Sequence, residues 1–474
     1  MLPVPSTLLS LTFTLLLHLT HLPRPVSADV QPFTIYDNVF IPPDYVAARN
    51  FSPALGGSQE TIRQWANLTV QTAPWTVTSK PIVAPSGDKK DYMSWAPYWW
   101  PNCTGVGNTT VLSPYQEWLT CPYYQIDGDF NPYRLTVDDI GAFSNVSDAV
   151  LYNALAYSFE NTSASNIYSQ RIVKIIDTWF LDNTTGMNPN LNYAQMEGGP
   201  KGQVGTHTGV LDLHCMVKVV TGILVLRKLE AVDWTADLDS RMKAWTTQYL
   251  TWLETNTLGI QECASLNNHG SWCFNQVISL KILVGDTAGA VNSSQTFFQG
   301  IYQGQINSTG DQPFEASRTH PYHYRNYNLA AMITNAQLYK YADPSANPWS
   351  IKTKAGTTIQ DAMDQTMTVN YNTSGEADDI AEIYPNIAAI AATYGDPSGK
   401  YVAFLEKGFP EYAWDADFFW NQPLAGSALV DAGAAANGTN GAAAPGKSGA
   451  VRTRRLGNVV AAGWVVLSAF VMLL

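Results

Sequence analysis

Charge is scarce in this chain. Only 14% of its residues are Asp, Glu, Lys or Arg, and the acids outnumber the bases 39 to 27, for a formal net charge of −12. A chain of that sign is not drawn as a whole to nucleic acid, so an anionic ligand has to be met by a local basic pocket. Period-two alternation is scarce as well, which leaves helices to build the core. There is no G-x-S-x-G elbow, no H-E-x-x-H and no P-loop, so serine-elbow, zincin and phosphate-cradle chemistries have no anchor. No repeat of fixed period and no low-complexity break interrupts Asp29 to about Pro423, which reads as one domain.

Apolar and aromatic residues are what it has in quantity. Hydrophobic residues make up 46% and aromatics 12% of the 474 positions, ample for a large core. In Ala236–Asn256, apolar residues fall at Leu238, Met242, Trp245, Tyr249 and Trp252, the stripe of an amphipathic helix. Val210–Leu229 is apolar around most of its circumference, as a buried inner helix would be. Ser147–Glu160, Asn328–Ala342 and Glu382–Gly395 also fit helices, with Ser147 and Asn328 as expected N-caps. Successive helices joined by long polar loops predict layered helices whose loops build a cleft.

The two ends read as addresses. Residues 1–28 carry an apolar run closed by the small-x-small site at Ala28, a secretory signal peptide. Eleven Asn-x-Ser/Thr triplets fit an exported glycoprotein. Residues 424–450 form a small-residue linker, with Ser448-Gly449-Ala450 or Asn440-Gly441-Ala442 as attachment site. Residues 451–474 supply a polar spacer and an apolar tail, the order of a GPI-anchor signal. Its sixteen-residue tail is short for a span of roughly 20 residues. In an oxidising compartment Cys103–Cys121 and Cys263–Cys273 are the expected local bridges, with Cys215 a buried free thiol.

Three stretches carry candidate chemistry. Gly87–Asn102 packs Tyr92, Trp95, Tyr98, Trp99 and Trp100 beside Lys89 and Lys90. Aromatic faces stack on sugar rings and lysines attract acidic ones; a hydrophobic plug is the plainer alternative. Ser265–Gln276 places Asn267, Asn268 and His269 at a loop-to-helix junction, where histidine can act as base or donor and Asn268 adds an amide. Glu315–Leu329 gathers Arg318, His320, Tyr322, His323, Tyr324 and Arg325. A tyrosine beside a fixed cation is expected to have its acidity increased. A two-carboxylate glycosidase stays open, with loop acids such as Asp129, Asp138 and Asp139.

Taken together, "DYMSWAPYWWP", "MNPNLNYAQ", "NNHG" and "RTHPYHYRNYNL" resemble, in order, the signatures of the alginate lyase family of polysaccharide lyases. The resemblance covers roughly Asp88 to Tyr394. It implies an all-α (α/α) toroid with a deep cleft. It implies metal-independent β-elimination on a uronic-acid polymer, with no cofactor and no metal. Residue by residue, it gives Asn268, His269, Arg318 and Tyr324 catalytic roles. Gln195, Lys90, Tyr98, Trp99, Trp100, His207 and His320 become substrate-binding positions. Two positions depart from the pattern: Cys273 stands where a tyrosine is usual, and His207 where an arginine-like cation is expected. The GPI-like tail points to a fungal-type cell-surface protein. The implied partner is an acidic polysaccharide met by a monomer, with no nucleic acid and the membrane reached only through the anchor. In the implied chemistry Arg318, Asn268 and His269 neutralise the uronate carboxylate. Tyr324 takes the C5 proton and returns it to the O4 leaving group. A glycoside hydrolase or a non-catalytic wall-glycan binder are the alternatives.

Overall fold

The computed structural model describes residues 40–107 and 111–421. The signal peptide, the linker with its attachment site, the apolar tail, and the triplets at Asn108 and Asn437 lie outside the described residues.

An inner row of helices forms the core. It runs α1 (Gly56–Leu68), α2 (Asp139–Phe159), α4 (Met216–Lys228), α7 (Asn268–Val284), α9 (Pro321–Ala342) and α11 (Ile383–Tyr394), each packed on the next. Outer helices cover this row. α3 (Ile167–Ile176) lies on α2, and α5 (Ala236–Thr255) on α7. α6 (Thr257–Cys263) joins α5 to α7, α8 (Thr287–Gln299) lies on α7 and α9, and α10 (Ile359–Thr366) on α9. This is the all-α (α/α) toroid that the sequence predicts.

The inner helices are buried on nearly every side. In α2 every residue from Val146 to Ser158 is buried, and in α9 every residue from Tyr324 to Ala336. Helices of this kind must satisfy polar side chains internally. Asn275 of α7 donates to the Ala331 carbonyl of α9 at 3.0 Å, and Asn335 of α9 donates to the Ser271 carbonyl of α7 at 3.0 Å. Each bond adds on the order of 1 kcal/mol net, and the pair sets the register of the two helices that carry the site. Between α2 and α4, Lys218 meets Asp148 at 2.6 Å with both side chains buried.

The expected α5 stripe is observed: Leu238, Met242, Trp245 and Tyr249 are buried. Helix starts differ from expectation. α2 begins at Asp139, so Ser147 is interior and donates back to the Phe143 carbonyl. α9 begins at Pro321, where a missing N–H costs nothing, so Asn328 is interior and donates to Gln312. Residues that compete for backbone hydrogen bonds look like caps in sequence; here buried partners absorb them. The apolar run from Val210 opens as a 3-10 turn, His207–Leu213, before α4 begins.

Two small two-stranded sheets accompany the helices. β1 (Met93–Trp95) pairs parallel with β4 (Tyr193–Met196), and β2 (Trp99–Pro101) pairs antiparallel with β3 (Tyr123–Gln125). Both expected disulfides are present, Cys103–Cys121 beside β2–β3 and Cys263–Cys273 between α6 and α7, and Cys215 is free and buried.

Candidate active site

Tyr324 lies in the first turn of α9. Its hydroxyl accepts from Arg318 Nη2 at 2.9 Å and lies 2.8 Å from the Tyr98 hydroxyl. The Arg318 guanidinium also rides over the Tyr324 ring, 3.9 Å from the centroid. Asp127 orients it, taking Nη2 at 2.8 Å and Nε at 3.4 Å, while Thr319 donates to the same carboxylate at 3.1 Å. This leaves the Nη1 edge for a ligand. The Asp127 turn closes on residues 319–320. A Cβ at Gly128, whose φ is +79°, would lie 2.5 Å from Thr319 Oγ1 and 3.0 Å from His320 Nε2. Only glycine admits that approach.

The expected acidity of Tyr324 is overturned. Burial pushes its phenol well above the ordinary value and the neighbouring Tyr98 hydroxyl adds to the rise; Arg318 pulls the other way and loses. Desolvation of a phenolate outweighs one guanidinium here. Tyr98 is raised too, first by burial.

Asn267 caps α7 by accepting from the His269 N–H at 3.3 Å. Asn268 is fully buried: its N–H and Nδ2 both donate to Glu315, at 2.7 and 2.6 Å, and its Oδ1 has no partner. An anion at a helix N-terminus is stabilised by the backbone dipoles; Glu376 does the same at α9, accepting from the N–H groups of Tyr322 and His323. Glu315 is raised first by burial, and its hydrogen bonds from Asn268 pull the other way.

His269 Nδ1 lies 2.6 Å from one oxygen of Glu262, and His207 Nδ1 lies 2.6 Å from the other. The two rings are 6.4 Å apart. Glu262 is completely buried. Burial alone would raise its carboxyl, but the two imidazoles outweigh it and hold it low.

Gln195 is held at a left-handed φ of 49°. Its N–H donates to Ser94, its Nε2 to Asp212 at 2.8 Å, and its Oε1 accepts from Thr208 at 2.8 Å. Thr206 donates to the Gln195 carbonyl at 3.0 Å, and a strained backbone fixed from four sides is a feature of functional sites. Asp212, also bound by Tyr92 and Ser94, is pushed up to about 6 by burial. Trp99 and Trp100 are half-buried on the β2–β3 ribbon and belong to no core cluster, and Trp100 Nε1 donates to the Asp129 carbonyl, whereas Tyr92 and Trp95 of the same stretch are buried in the core. Phe130 continues the aromatic surface, 5.0 Å from Tyr98.

The structure therefore brings together Tyr324, Arg318 and Tyr98, and separately His269 with His207, while Asn268 and Gln195 are braced from behind. His320 sits under Gly128. Lys90 is held away from the Tyr324 group: its N–H donates to Asp88 and its carbonyl accepts from the Asn188 N–H. Asp139, weighed as a glycosidase acid, is spent on buried Lys80 at 3.0 Å. Sequence reading missed Asp127, Glu262 and Glu315. Only Glu262 carried a signal, its place beside the bridged Cys263. Among the described residues no cluster of three or more His, Cys, Asp or Glu side chains is arranged to hold a metal ion.

Residues 76–374, well over half of the chain, match the family model described as alginate lyase. The chain belongs to the alginate lyase family. It is a polysaccharide lyase, and the family implies a polyuronate substrate. The fold is similar to that of an alginate lyase from Bacteroides ovatus, at a TM-score of 0.69 and 24% identity, over 81% of this chain and 99% of that one. No curated protein matches the chain.

Proposed function

We propose that this lyase cleaves a 1,4-linked polyuronate containing mannuronate or glucuronate by syn β-elimination. The observation that carries the reading is the convergence of Arg318, Tyr98 and Tyr324 on one phenol oxygen. The C5 proton of a uronate is hard to remove because the neighbouring carboxylate is already negative. Arg318 Nη1, with the His207 imidazole, neutralises that carboxylate in a preorganised site. Asn268, braced by Glu315, fixes the start of α7 that presents His269. Tyr324 takes the proton. Its raised value keeps it a protonated phenol in the free protein; the phenolate that takes the C5 proton forms by loss of the phenol proton to solvent, and it would accept from both Arg318 and Tyr98. The C5–H and C4–O4 bonds break, a C4–C5 double bond forms, and the same oxygen hands the proton to O4. Trp99, Trp100 and Phe130 offer stacking faces for neighbouring sugars.

The same proposal places the protein outside the cell, as a fungal-type glycoprotein. It is made with a signal peptide at 1–28, carries its catalytic domain at 29–423, and is anchored through GPI after the 424–450 linker. Two disulfides and exposed triplet asparagines at Asn50, Asn102, Asn161, Asn183 and Asn372 support this. We take it to act as a monomer.

The test is incubation with polymannuronate, glucuronan and polyguluronate. Elimination gives a near-ultraviolet absorbance from the unsaturated product. New reducing ends without that absorbance would make it a hydrolase; binding without turnover would make it a wall-glycan binder.

A further inference from the structure

We infer that Glu262 is a positioning residue that holds two imidazoles at once and divides their work. His207 carries the positive charge that meets a sugar carboxylate, and His269 presents an unprotonated Nε2 to the cleft. The inference rests on the polyuronate reading above.

The argument starts from hydrogen-bond inventory. An ionised carboxylate only accepts, so the 2.6 Å contacts to each Nδ1 require a proton on both. The outward nitrogen of each ring is therefore Nε2. Charge comes next. Glu262 is completely buried. With both rings neutral, a bare carboxylate would stand in a dry site; with both charged, a net cation would. One imidazolium neutralises it, the arrangement that buried ion pairs require.

Three observations assign the charge to His207. Its side chain is 42% exposed against 17% for His269, so its ionised form keeps more water. It faces a second acid, Glu197, besides Glu262, and the Glu262 hydrogen bond leads the causes that raise it. His269 sits in the first turn of α7, where the helix's positive pole opposes a cation. The acids around His269 are Glu262 and Glu315, and Glu315 is already bound by Asn268 and near Arg318. The Cys263–Cys273 bridge pins the helix of Glu262 to the helix of His269.

The protonated His207 donates from Nε2. Once deprotonated, the same nitrogen becomes an acceptor and repels a carboxylate. Substrate affinity should then fall as pH rises through the His207 titration.

The test has two readouts on the full chain. Histidine ¹⁵N NMR, assigned with His207→Asn and His269→Asn, should show Nδ1–H on both rings at about pH 6, with Nε2 protonated on His207 and bare on His269. Glu262→Gln should strip the Nδ1 proton from one ring and move the His207 titration to lower pH. It should also raise KM for an oligouronate by roughly 10–100-fold at that pH, the worth of one charge-assisted hydrogen bond. A charged His269 beside a neutral His207, or unchanged tautomers and KM in Glu262→Gln, overturns the inference. Should that variant not fold, Glu262→Asp, too short to span both rings, and the wild-type spectrum decide. If the wild type turns over no polyuronate, the functional reading falls while the NMR still judges the bridge.

Discussion

The hydroxyls of Tyr98 and Tyr324 lie 2.8 Å apart, and Arg318 Nη2 reaches the second of them at 2.9 Å. The chain segments that carry the two tyrosines are 226 residues apart. Nothing local joins them; the β2–β3 ribbon has to be laid against the start of α9 by the fold. A phenol flanked by one guanidinium and one hydroxyl has two donors waiting for its negative form.

Removing that oxygen should end elimination. Tyr324→Phe is expected to lower kcat by about 10²–10⁴-fold, the usual worth of a positioned acid–base group. Its far-ultraviolet circular dichroism should be unchanged. Full near-ultraviolet turnover in this variant would remove Tyr324 from the reaction. Because burial raises the phenol, the basic form grows with pH across the whole neutral range. The wild-type kcat should rise with pH by up to about tenfold per unit, and a flat profile would contradict proton abstraction by Tyr324.

Asp127 is the partner that holds Arg318 in place from the loop side. Its carboxyl is raised by burial and lowered more strongly by Arg318 and Thr319, so it stays ionised. With a side chain 37% exposed, it contributes little stability, within about 1 kcal/mol. Asp127→Asn should therefore leave the unfolding midpoint nearly unchanged yet cut kcat/KM roughly tenfold by loosening Arg318, a displacement that positioning arguments make costly. Equal loss of stability and rate would make Asp127 a fold residue only.

The Lys218–Asp148 pair between α2 and α4 is the opposite case. Both side chains are buried, 2% and 3% exposed. Lys218→Met removes the buried cation that faces Asp148 and should cost about 3–5 kcal/mol in urea unfolding. The double replacement Lys218→Met with Asp148→Leu should recover most of that loss, since a packed apolar pair needs no solvation.

Asp212 behind Gln195 gives a stability signature. Burial pushes it up to about 6 from an ordinary 3.8. The folded state thus binds a proton more tightly than the unfolded one. Its contribution is full below about pH 4 and is lost as pH rises toward 6. Asp212→Asn should flatten that part of the stability–pH curve, seen as a smaller difference in unfolding midpoint between those two pH values.

Much of this was legible in the residues. The amphipathic stripe of α5 and the all-round apolar α4 announced layered helices, because each periodicity maps onto one or two buried faces. The cysteine spacings gave both bridges. Tyr324, Arg318 and His269 stood out because uncommon residue types were crowded together. What stayed hidden was partnership across the chain. Asp127, Glu262 and Glu315 are ordinary carboxylates in sequence, and only the packing of loops on helices gives them one partner rather than another. The acidity of Tyr324 was misjudged for the same reason: the nearby cation is visible in sequence, while the burial that overrules it is not. Ser147 and Asn328 looked like helix starts because sequence cannot tell a cap from a polar group satisfied inside a core.

The Cys263–Cys273 bond ties the last turn of α6 to the second turn of α7. Glu262 is the residue before the first cysteine, and His269 lies one turn before the second. Cutting this tether would let the carboxylate swing away from both rings without disturbing Tyr324 or Arg318. A thiol reductant would then act as an off-switch for grip on the polymer, while the elimination machinery itself stayed assembled.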